Sequence, residues 1–389
     1  MPDATRPIYL DYASTTPVHP HVVDAMLPYL RQEFGNPSNL HPIGRRAADA
    51  VERARAQVAR VLGSALDEVV FTSGGSESDN LALRGVALAL PHRRHLVTTT
   101  IEHSAVLGAA HDLAEHSGLD VTYVPVGADG IVDPDAVAAA IRPETCLVSV
   151  MLANNETGTV QPVADIARRA RARGVPIHTD AVQAAGLLDL DVERLGVDLL
   201  SLSGHKFYGP KGVGVLYVRR GTPLAPLIHG GSQEGGRRAG TQNVAAIVGC
   251  GAAIELVARH RPATAARLTG LRDRLIDGIE RSVPGAIVNG DRRRRLPGNV
   301  NVCFGDVQGE AVLLELEQDG VYGSSGSACH AGSQEPSHVL LAIGRSPELA
   351  HTAVRLTLGA PTTEAEVDRA LELVPVAVER LRGRVLARP

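Results

Sequence analysis

Residues 147–180 read LVSVMLANNETGTVQPVADIARRARARGVPIHTD, and this stretch decides the fold. An apolar run at Leu147 to Met151 is followed by an amphipathic run at Ile166 to Ala172 and a second apolar run at Pro176 to Thr179. Short apolar runs that alternate with helical patterns are typical of parallel strands joined by crossover helices. The stretch therefore predicts one strand, one helix and a second strand of an α/β sheet.

The same alternation extends from Glu68 to Tyr217. It predicts a large α/β domain with a mostly parallel sheet between two layers of helices. The pattern changes after Thr241, where fewer strands and longer helices predict a smaller α+β domain. In this second part we expect helices at Val244 to Arg259, Thr264 to Arg281, Gln308 to Glu317 and Glu364 to Arg382, and strands at Gly298 to Phe304 and Ala353 to Leu358.

The composition is that of a globular protein of about two domains. The chain has 389 residues, of which 44% are hydrophobic and 21% charged. Its 39 basic and 43 acidic side chains nearly balance, so direct binding to nucleic acid or to a membrane is not expected. The four widely spaced cysteines and the absence of a basic-then-apolar leader favour a reducing, cytoplasmic location.

Two segments suggest a site for an aldehyde cofactor at the end of the sheet. Lys206 lies in the glycine-rich segment SLSGHKFYGPKGVG, residues 201–214, where partial burial would free its amine to form a Schiff base. Asp180 ends an apolar strand and could pair with a protonated pyridine nitrogen, and Gln183 could bind a ring hydroxyl. Taken alone, Lys206 could equally be a surface lysine in a turn, and Asp180 a helix cap.

A phosphate site is indicated at residues 68–82, which read EVVFTSGGSESDNLA. The order of strand, glycine loop and helix start exposes backbone N–H groups at the positive end of a helix, with Gly74, Gly75 and Ser76 in the loop. Neither GxGxxG nor GxxxxGKS is present, which argues against dinucleotide and nucleoside triphosphate sites. A structural Gly-Gly turn is the alternative.

Four further residues are candidates. His103 could stack on a planar ring and Asn155 could bind a substrate group, although an ordinary histidine and an asparagine turn explain them as well. Cys329 lies among small polar residues, so its thiol should be accessible and able to ionise. Arg355 could bind a carboxylate through two N–H groups, or form a structural ion pair.

In this order, the segments resemble the class V aminotransferase family of fold-type I pyridoxal-phosphate enzymes. Within that family they resemble the cysteine desulfurases of the NifS and IscS type, group I. The similarity runs nearly end to end and rests on the segments YLDYA at 9–13, FGNPS at 34–38, TSGGSES at 72–78, EHSAV at 102–106, ANNETG at 153–158, DAVQA at 180–184, SGHKFYGPKG at 203–212, RAGT at 238–241 and SSGSAC at 324–329.

The resemblance implies pyridoxal 5′-phosphate as cofactor and L-cysteine as substrate, with Lys206, Cys329 and His103 as catalytic residues. It implies that Gly75, Ser76, Ser203, His205 and Thr241 hold the phosphate, with Thr241 reaching it from the neighbouring subunit of a homodimer. By the same resemblance His103 stacks on the ring, Asp180 meets the ring nitrogen, Gln183 meets the ring oxygen, and Asn155 and Arg355 bind the substrate carboxylate.

The implied reaction converts L-cysteine to L-alanine and leaves the sulfur on Cys329 as a persulfide for an acceptor protein. Iron–sulfur assembly, tRNA thiolation and DNA phosphorothioation all stay open as destinations, and an aminotransferase or selenocysteine lyase of the same family is the alternative. We expect residues 1–15 to pack with the small domain, 16–255 to form the large cofactor-binding domain, and 256–389 to form the small domain with Cys329. Ser76 stands where relatives often have Thr, and Gly235 where many have Arg.

Overall fold

The computed structural model describes residues 7–325 and 335–386. The described strands are β1 (Ile8–Tyr9), β2 (Val69–Thr72), β3 (His95–Thr99), β4 (Asp120–Val124), β5 (Thr145–Ser149), β6 (Ile177–Asp180), β7 (Leu199–Ser203), β8 (Gly214–Val218), β9 (Ile287–Val288), β10 (Asn299–Cys303), β11 (Val321–Tyr322), β12 (Ser324–Ser325) and β13 (Ala353–Thr357). The described α-helices are α1 (Pro20–Arg31), α2 (Pro42–Leu62), α3 (Gly75–Ala89), α4 (Ser104–Ser117), α5 (Pro134–Ala140), α6 (Val163–Arg171), α7 (Val192–Leu195), α8 (Val244–Ser282), α9 (Gly309–Gln318), α10 (His338–Ala342), α11 (Pro347–Ala350) and α12 (Glu364–Leu386).

The central sheet has seven strands in the order β2-β8-β7-β6-β5-β3-β4. The pairs from β7 to β4 are parallel, and β8 runs antiparallel between β7 and β2. Because β8 is the one reversed strand, the carboxyl ends of β2, β3, β5, β6 and β7 meet at the same edge. The predicted α/β class with a mostly parallel sheet is confirmed.

Both faces of this sheet are covered by helices. Neighbouring residues of one strand pack into different cores: Leu147 lies in the core formed with α3 and α4, and Val148 in the core formed with α2, α6 and the first part of α8. Leu199 and Leu200 divide in the same way. Strands that are buried on both faces need continuous apolar runs, which is the pattern that the sequence shows.

A second, antiparallel sheet has the order β12-β13-β10-β9. Its core includes Leu275 and Ile279 from the second part of α8 and Val374 from α12. The N-terminal segment joins this part of the chain, because Ile8 and Tyr9 pair with Val321 and Tyr322 in a short parallel ladder. The division into segments 1–15, 16–255 and 256–389 stays a prediction.

One helix replaces two that the sequence predicts. Val244–Ser282 forms a continuous helix of 39 residues with Pro262 in its interior. A proline removes one backbone hydrogen bond and normally ends or kinks a helix. Here Cys250, before Pro262, is buried in the core of the large sheet, and Leu268, after it, is buried in the core of the second sheet. Packing on both sides of the proline stabilises the continuous helix. None of the described helices is long and apolar enough to cross a membrane.

A buried ion pair fixes the segment that precedes α8. Arg55 of α2 donates to both carboxylate oxygens of Glu234, at 2.8 and 2.9 Å, and also to the carbonyl oxygen of Val69. Glu234 accepts further bonds from the Phe71 backbone N–H and the Gln242 side chain. Burial acts to raise the pKa of Glu234, but its bonds with Arg55 lower it below the ordinary value. The pair therefore anchors this segment to β2.

We expect Arg55→Ala to lower the free energy of unfolding by about 3–5 kcal/mol, because Glu234 would remain buried without its cation. Urea denaturation measures the loss. Arg60→Ala on the same helix is the matched control, since the Arg60–Glu255 pair has side chains that are 67% and 29% exposed. An exposed pair contributes about 0–1 kcal/mol. Equal losses in the two variants would contradict the structural role of Arg55.

Candidate active site

A cavity of about 250 Å³ lies at the carboxyl edge of the central sheet. It brings together most of the residues that the sequence predicts for the site. The predicted residues that line it are Gly75, Ser76, His103, Asn155, Asp180, Gln183, Ser203, His205 and Lys206. They come from the ends of five different strands, and the parallel strand order is what makes them neighbours.

The N-terminus of α3 forms one end of this cavity. The helix begins at Gly75, and the capping residue Gly74 supplies no side chain to bond the first N–H groups. A Cβ atom on Gly75 would lie 2.9 Å from a methyl group of Val182, so a side chain at this position would fill the end of the cavity beside the helix N-terminus. Uncapped N–H groups at the positive end of a helix favour an anion. The hydroxyls of Ser76 and Ser203 complete a donor set that fits a phosphate group.

Lys206 ends a short 3-10 turn that directly follows β7. Its Nζ atom donates to the carbonyl oxygens of Ala13 at 2.6 Å and Ser14 at 2.8 Å. The neighbouring His205 bonds the Thr15 hydroxyl through Nδ1, and burial together with the charge of Lys206 lowers its pKa to about 4. The N-terminal segment therefore covers the amine and holds it in the cavity beside a neutral imidazole.

Asp180 is the last residue of β6 and is 6% exposed. Its Oδ1 atom accepts a hydrogen bond from the Val182 backbone N–H at 2.9 Å. Burial raises the pKa of Asp180, while the neighbouring His103 and Lys206 act to lower it. A cation inside the cavity would lower it further, so Asp180 is suited to face a protonated ring nitrogen. Gln183 is held nearby by a bond to the Ala13 carbonyl oxygen.

His103 and Asn155 follow β3 and β5. His103 caps α4, and its Nδ1 atom accepts from the Ala105 backbone N–H at 3.1 Å, which leaves the ring fixed at the cavity wall. Asn155 is 8% exposed and also lines the cavity. These positions agree with the roles that the family resemblance implies for the two side chains, which remain proposals.

Arg355 does not line the cavity but adjoins it. Its guanidinium donates to the Asn155 carbonyl oxygen at 2.9 Å, to Asp11 at 3.0 Å and to the Ser14 hydroxyl at 2.9 Å. Its Nε atom is buried without an acceptor among the described residues. Arg355 thus combines the structural ion pair that the sequence allowed with one unused N–H donor.

Thr241 lines a different cavity of about 180 Å³, together with Glu234 and Arg238. The chain therefore does not bring Thr241 to its own cofactor cavity. Gly235, next to Glu234 of this second cavity, has φ +64°, and nothing lies within 4 Å of the position that a Cβ atom would take. Cys329 lies outside the described residues.

Three further residues that the sequence did not predict line the cavity, Asp79, Met151 and Val182. Asp79 lies one helical turn after Gly75, and residues at i and i+4 share a helix face. This spacing could have placed Asp79 beside the phosphate loop. Met151 and Val182 were apolar residues at strand ends, for which the sequence offered no comparable signal. A larger, mostly apolar groove of about 700 Å³ adjoins the site at Gln183 and Lys206.

Comparison with known proteins gives consistent matches over nearly the whole chain. The family model described as Aminotransferase class-V matches residues 8–370. The chain is 49% identical over 378 residues to "Cysteine desulfurase IscS" of Dictyoglomus turgidum, covering 97% of this chain and 96% of that protein.

Two solved structures are also similar. A "NifS-like protein" has a TM-score of 0.90 at 38% identity, and the alignment covers 96% of this chain and 100% of that protein's chain. The structure described as "SspA in complex with cysteine" has a TM-score of 0.79 at 40% identity, and the alignment covers 91% of this chain and 99% of that protein's chain. The chain therefore belongs to the class V aminotransferase family, whose cysteine desulfurase members use pyridoxal 5′-phosphate.

Proposed function

We propose that this chain is a cysteine desulfurase that converts L-cysteine to L-alanine and passes the sulfur to Cys329. The observation that carries the proposal is the placement of Lys206 in one buried cavity with Asp180, Ser203 and His205. The desulfurase name of the 49% identical relative and the cysteine complex of a structural neighbour support the substrate.

The residues present fit pyridoxal phosphate. When bound, this cofactor supplies an electron-withdrawing ring that stabilises negative charge on the α-carbon of an amino acid. Lys206 would hold the cofactor, Gly75, Ser76, Ser203 and His205 would hold its phosphate, and His103, Asp180 and Gln183 would hold its ring.

Lys206 would also move the α-proton, because its Nζ atom lies in the cavity, where the carbonyl oxygens of Ala13 and Ser14 hold it. Asn155, which lines the cavity, and the adjoining Arg355 would bind the substrate carboxylate. The unused Nε donor of Arg355 supports this role, since a carboxylate there would satisfy a buried N–H group.

The sulfur acceptor is assigned to Cys329 on the chemistry of the four thiols. Cys146, Cys250 and Cys303 are buried, and burial raises the pKa of Cys146 to about 11 and that of Cys250 to about 12. A thiolate is the nucleophile, so these two are inert near neutral pH. The Cys329 thiolate would attack the substrate sulfur; an S–S bond forms, the C–S bond breaks, and its electron pair stays with the carbon that takes a proton to become the alanine methyl group.

A homodimer is proposed as the active unit. Thr241 lies away from the cofactor cavity of its own chain, which supports the implied contact with the phosphate of a neighbouring subunit. The proposed reaction also needs an acceptor protein, and iron–sulfur assembly, tRNA thiolation and DNA phosphorothioation remain its possible destinations. We propose that the enzyme acts in the cytoplasm, where its thiols stay reduced.

An aminotransferase or a selenocysteine lyase is the alternative within the family. An aminotransferase needs a keto acid and does not use a thiol acceptor. The relatives that match this chain are named as desulfurases, which favours the main proposal. Alanine formation from cysteine without added keto acid separates these two activities.

We expect Lys206→Ala to lower the rate of alanine formation by about 10³-fold or more, because cofactor attachment and proton transfer are lost together. Alanine release from L-cysteine with a thiol reductant measures the rate, and the absorbance of the bound cofactor reports its attachment. Lys211→Ala is the matched control, since Lys211 is exposed in the same glycine-rich segment. Similar rates in the two variants would contradict the assignment of Lys206.

We expect Cys329→Ala to abolish persulfide formation on the protein while the cofactor remains bound, because the acceptor thiolate is gone. Mass spectrometry of the intact chain after brief exposure to L-cysteine detects the added sulfur atom. Cys250→Ala serves as the control and should still gain that atom, since its thiol is fully buried in α8. A persulfide on the Cys329→Ala protein would refute this acceptor.

A further inference from the structure

Asp79 is a second carboxyl group at the Asp180 end of the cavity. It lies one turn into α3, is 1% exposed and lines the cavity. One oxygen of Asp79, one oxygen of Asp180 and a ring nitrogen of His103 all lie within 4.8 Å of one another. Two ionised carboxylates this close in a buried site repel each other, so such a pair retains a proton.

The groups behind Asp79 supply no positive charge. Its Oδ1 atom has no hydrogen-bond partner within the described part of the chain and lies 3.6 Å from Nε2 of His178. The His178 ring bonds the hydroxyls of Ser149 and Ser201, each at 2.9 Å, and burial lowers its pKa to about 3. The imidazole is therefore neutral at physiological pH, and its contact with Asp79 is not an ion pair. The Ser201 hydroxyl also bonds Asp79.

The charges around the pair favour a proton on Asp79 rather than on Asp180. Burial first, and then the charge of Asp180, raise the pKa of Asp79 well above its ordinary value. Glu102 faces the pair from the loop before α4, and burial raises its own pKa to about 8. The neighbouring His103 ring and the charge of Lys206 act on Asp180 and favour its ionised form.

We propose that Asp79 is a positioning residue that holds the single proton of the Asp79–Asp180 pair and presents it as a hydrogen-bond donor to the Asp180 carboxylate. The inference rests on the proposed role of Asp180 at the cofactor ring nitrogen. A neutral Asp79 leaves one negative charge at this end of the cavity, which matches one positive charge on the ring. Helix α3 thus serves both ends of the cofactor, through its N-terminus and through Asp79.

Infrared difference spectroscopy of the cofactor-loaded protein at pH 7, without substrate, tests where the proton lies. The spectrum of the wild type minus that of Asp79→Asn should contain the C=O stretch of a protonated carboxylic acid. Asp180→Asn is the matched control: Asp79 keeps its proton in that variant, so the acid band should remain, shifted in frequency by the loss of its carboxylate neighbour, while carboxylate bands are lost. Absence of the acid band from the Asp79 difference, or loss of the acid band in the Asp180→Asn protein, would overturn the proposal.

The pH dependence of unfolding gives a second readout. The native chain keeps a proton that the unfolded chain releases near pH 4, so the stability that this proton contributes is present below pH 4 and is lost as the pH rises. Above pH 4, and for as long as native Asp79 keeps its proton, the unfolding constant of the wild type should rise, relative to that of Asp79→Asn, by up to about tenfold per pH unit. Relative to Asp180→Asn, which keeps the Asp79 proton, the rise should be smaller, and equal slopes for both variants would refute the assignment to Asp79.

If Asp79→Asn yields no folded protein, Ser201→Ala replaces it. This variant removes the hydroxyl bond that favours ionised Asp79, so the acid band should persist to higher pH than in the wild type, and an unchanged titration would overturn the proposal. These measurements need neither turnover nor Cys329. A protein with the acid band but no desulfurase activity would therefore contradict the proposed function and leave the role of Asp79 standing.

Discussion

The site depends on one constraint, the parallel order of the strands in the central sheet. Because β3, β5, β6 and β7 run in the same direction, each delivers the residue that follows it to the same edge. Hydrogen bonds of the ladder fix these strands rigidly, whereas side chains on separate loops would need other support. A cavity with nine predicted residues on its walls is the result.

The N-terminal segment completes what the sheet begins. Ala13 and Ser14 accept hydrogen bonds from Lys206, Asp11 and Ser14 hold Arg355, and Ala13 also accepts from Gln183. Residues that are about 170 to 340 positions apart in the chain thereby meet over the cavity. The same segment reaches the second sheet, because Asp11 bridges Thr357 of β13 and the Thr357 N–H donates to the Leu10 carbonyl oxygen, so it links the cofactor cavity to that sheet.

Much of this could be predicted from the sequence because the signals were local. The apolar runs identified the strands, and the Gly-Gly turn before α3 identified the helix start that lines the cavity. Other features depended on distant partners. Residues 292–295 are four consecutive arginines, and nothing local distinguishes the last of them; yet Arg295 is buried, and its guanidinium bonds the carbonyl oxygens of Asn289, Asp291 and Asn299. The helix through Pro262 persists because both of its halves pack into cores.

The sequence by itself determined the α/β class, the family and the residue types of the site, since periodicity and short motifs depend on neighbours along the chain. Tertiary structure alone decided which of those residues share a cavity. It placed Thr241 and Arg355 outside the cofactor cavity and brought Asp79 next to Asp180. The physical reason is that burial and the charges of distant side chains set the proton affinity of a carboxyl group, and both arise only when the strands and α3 pack together.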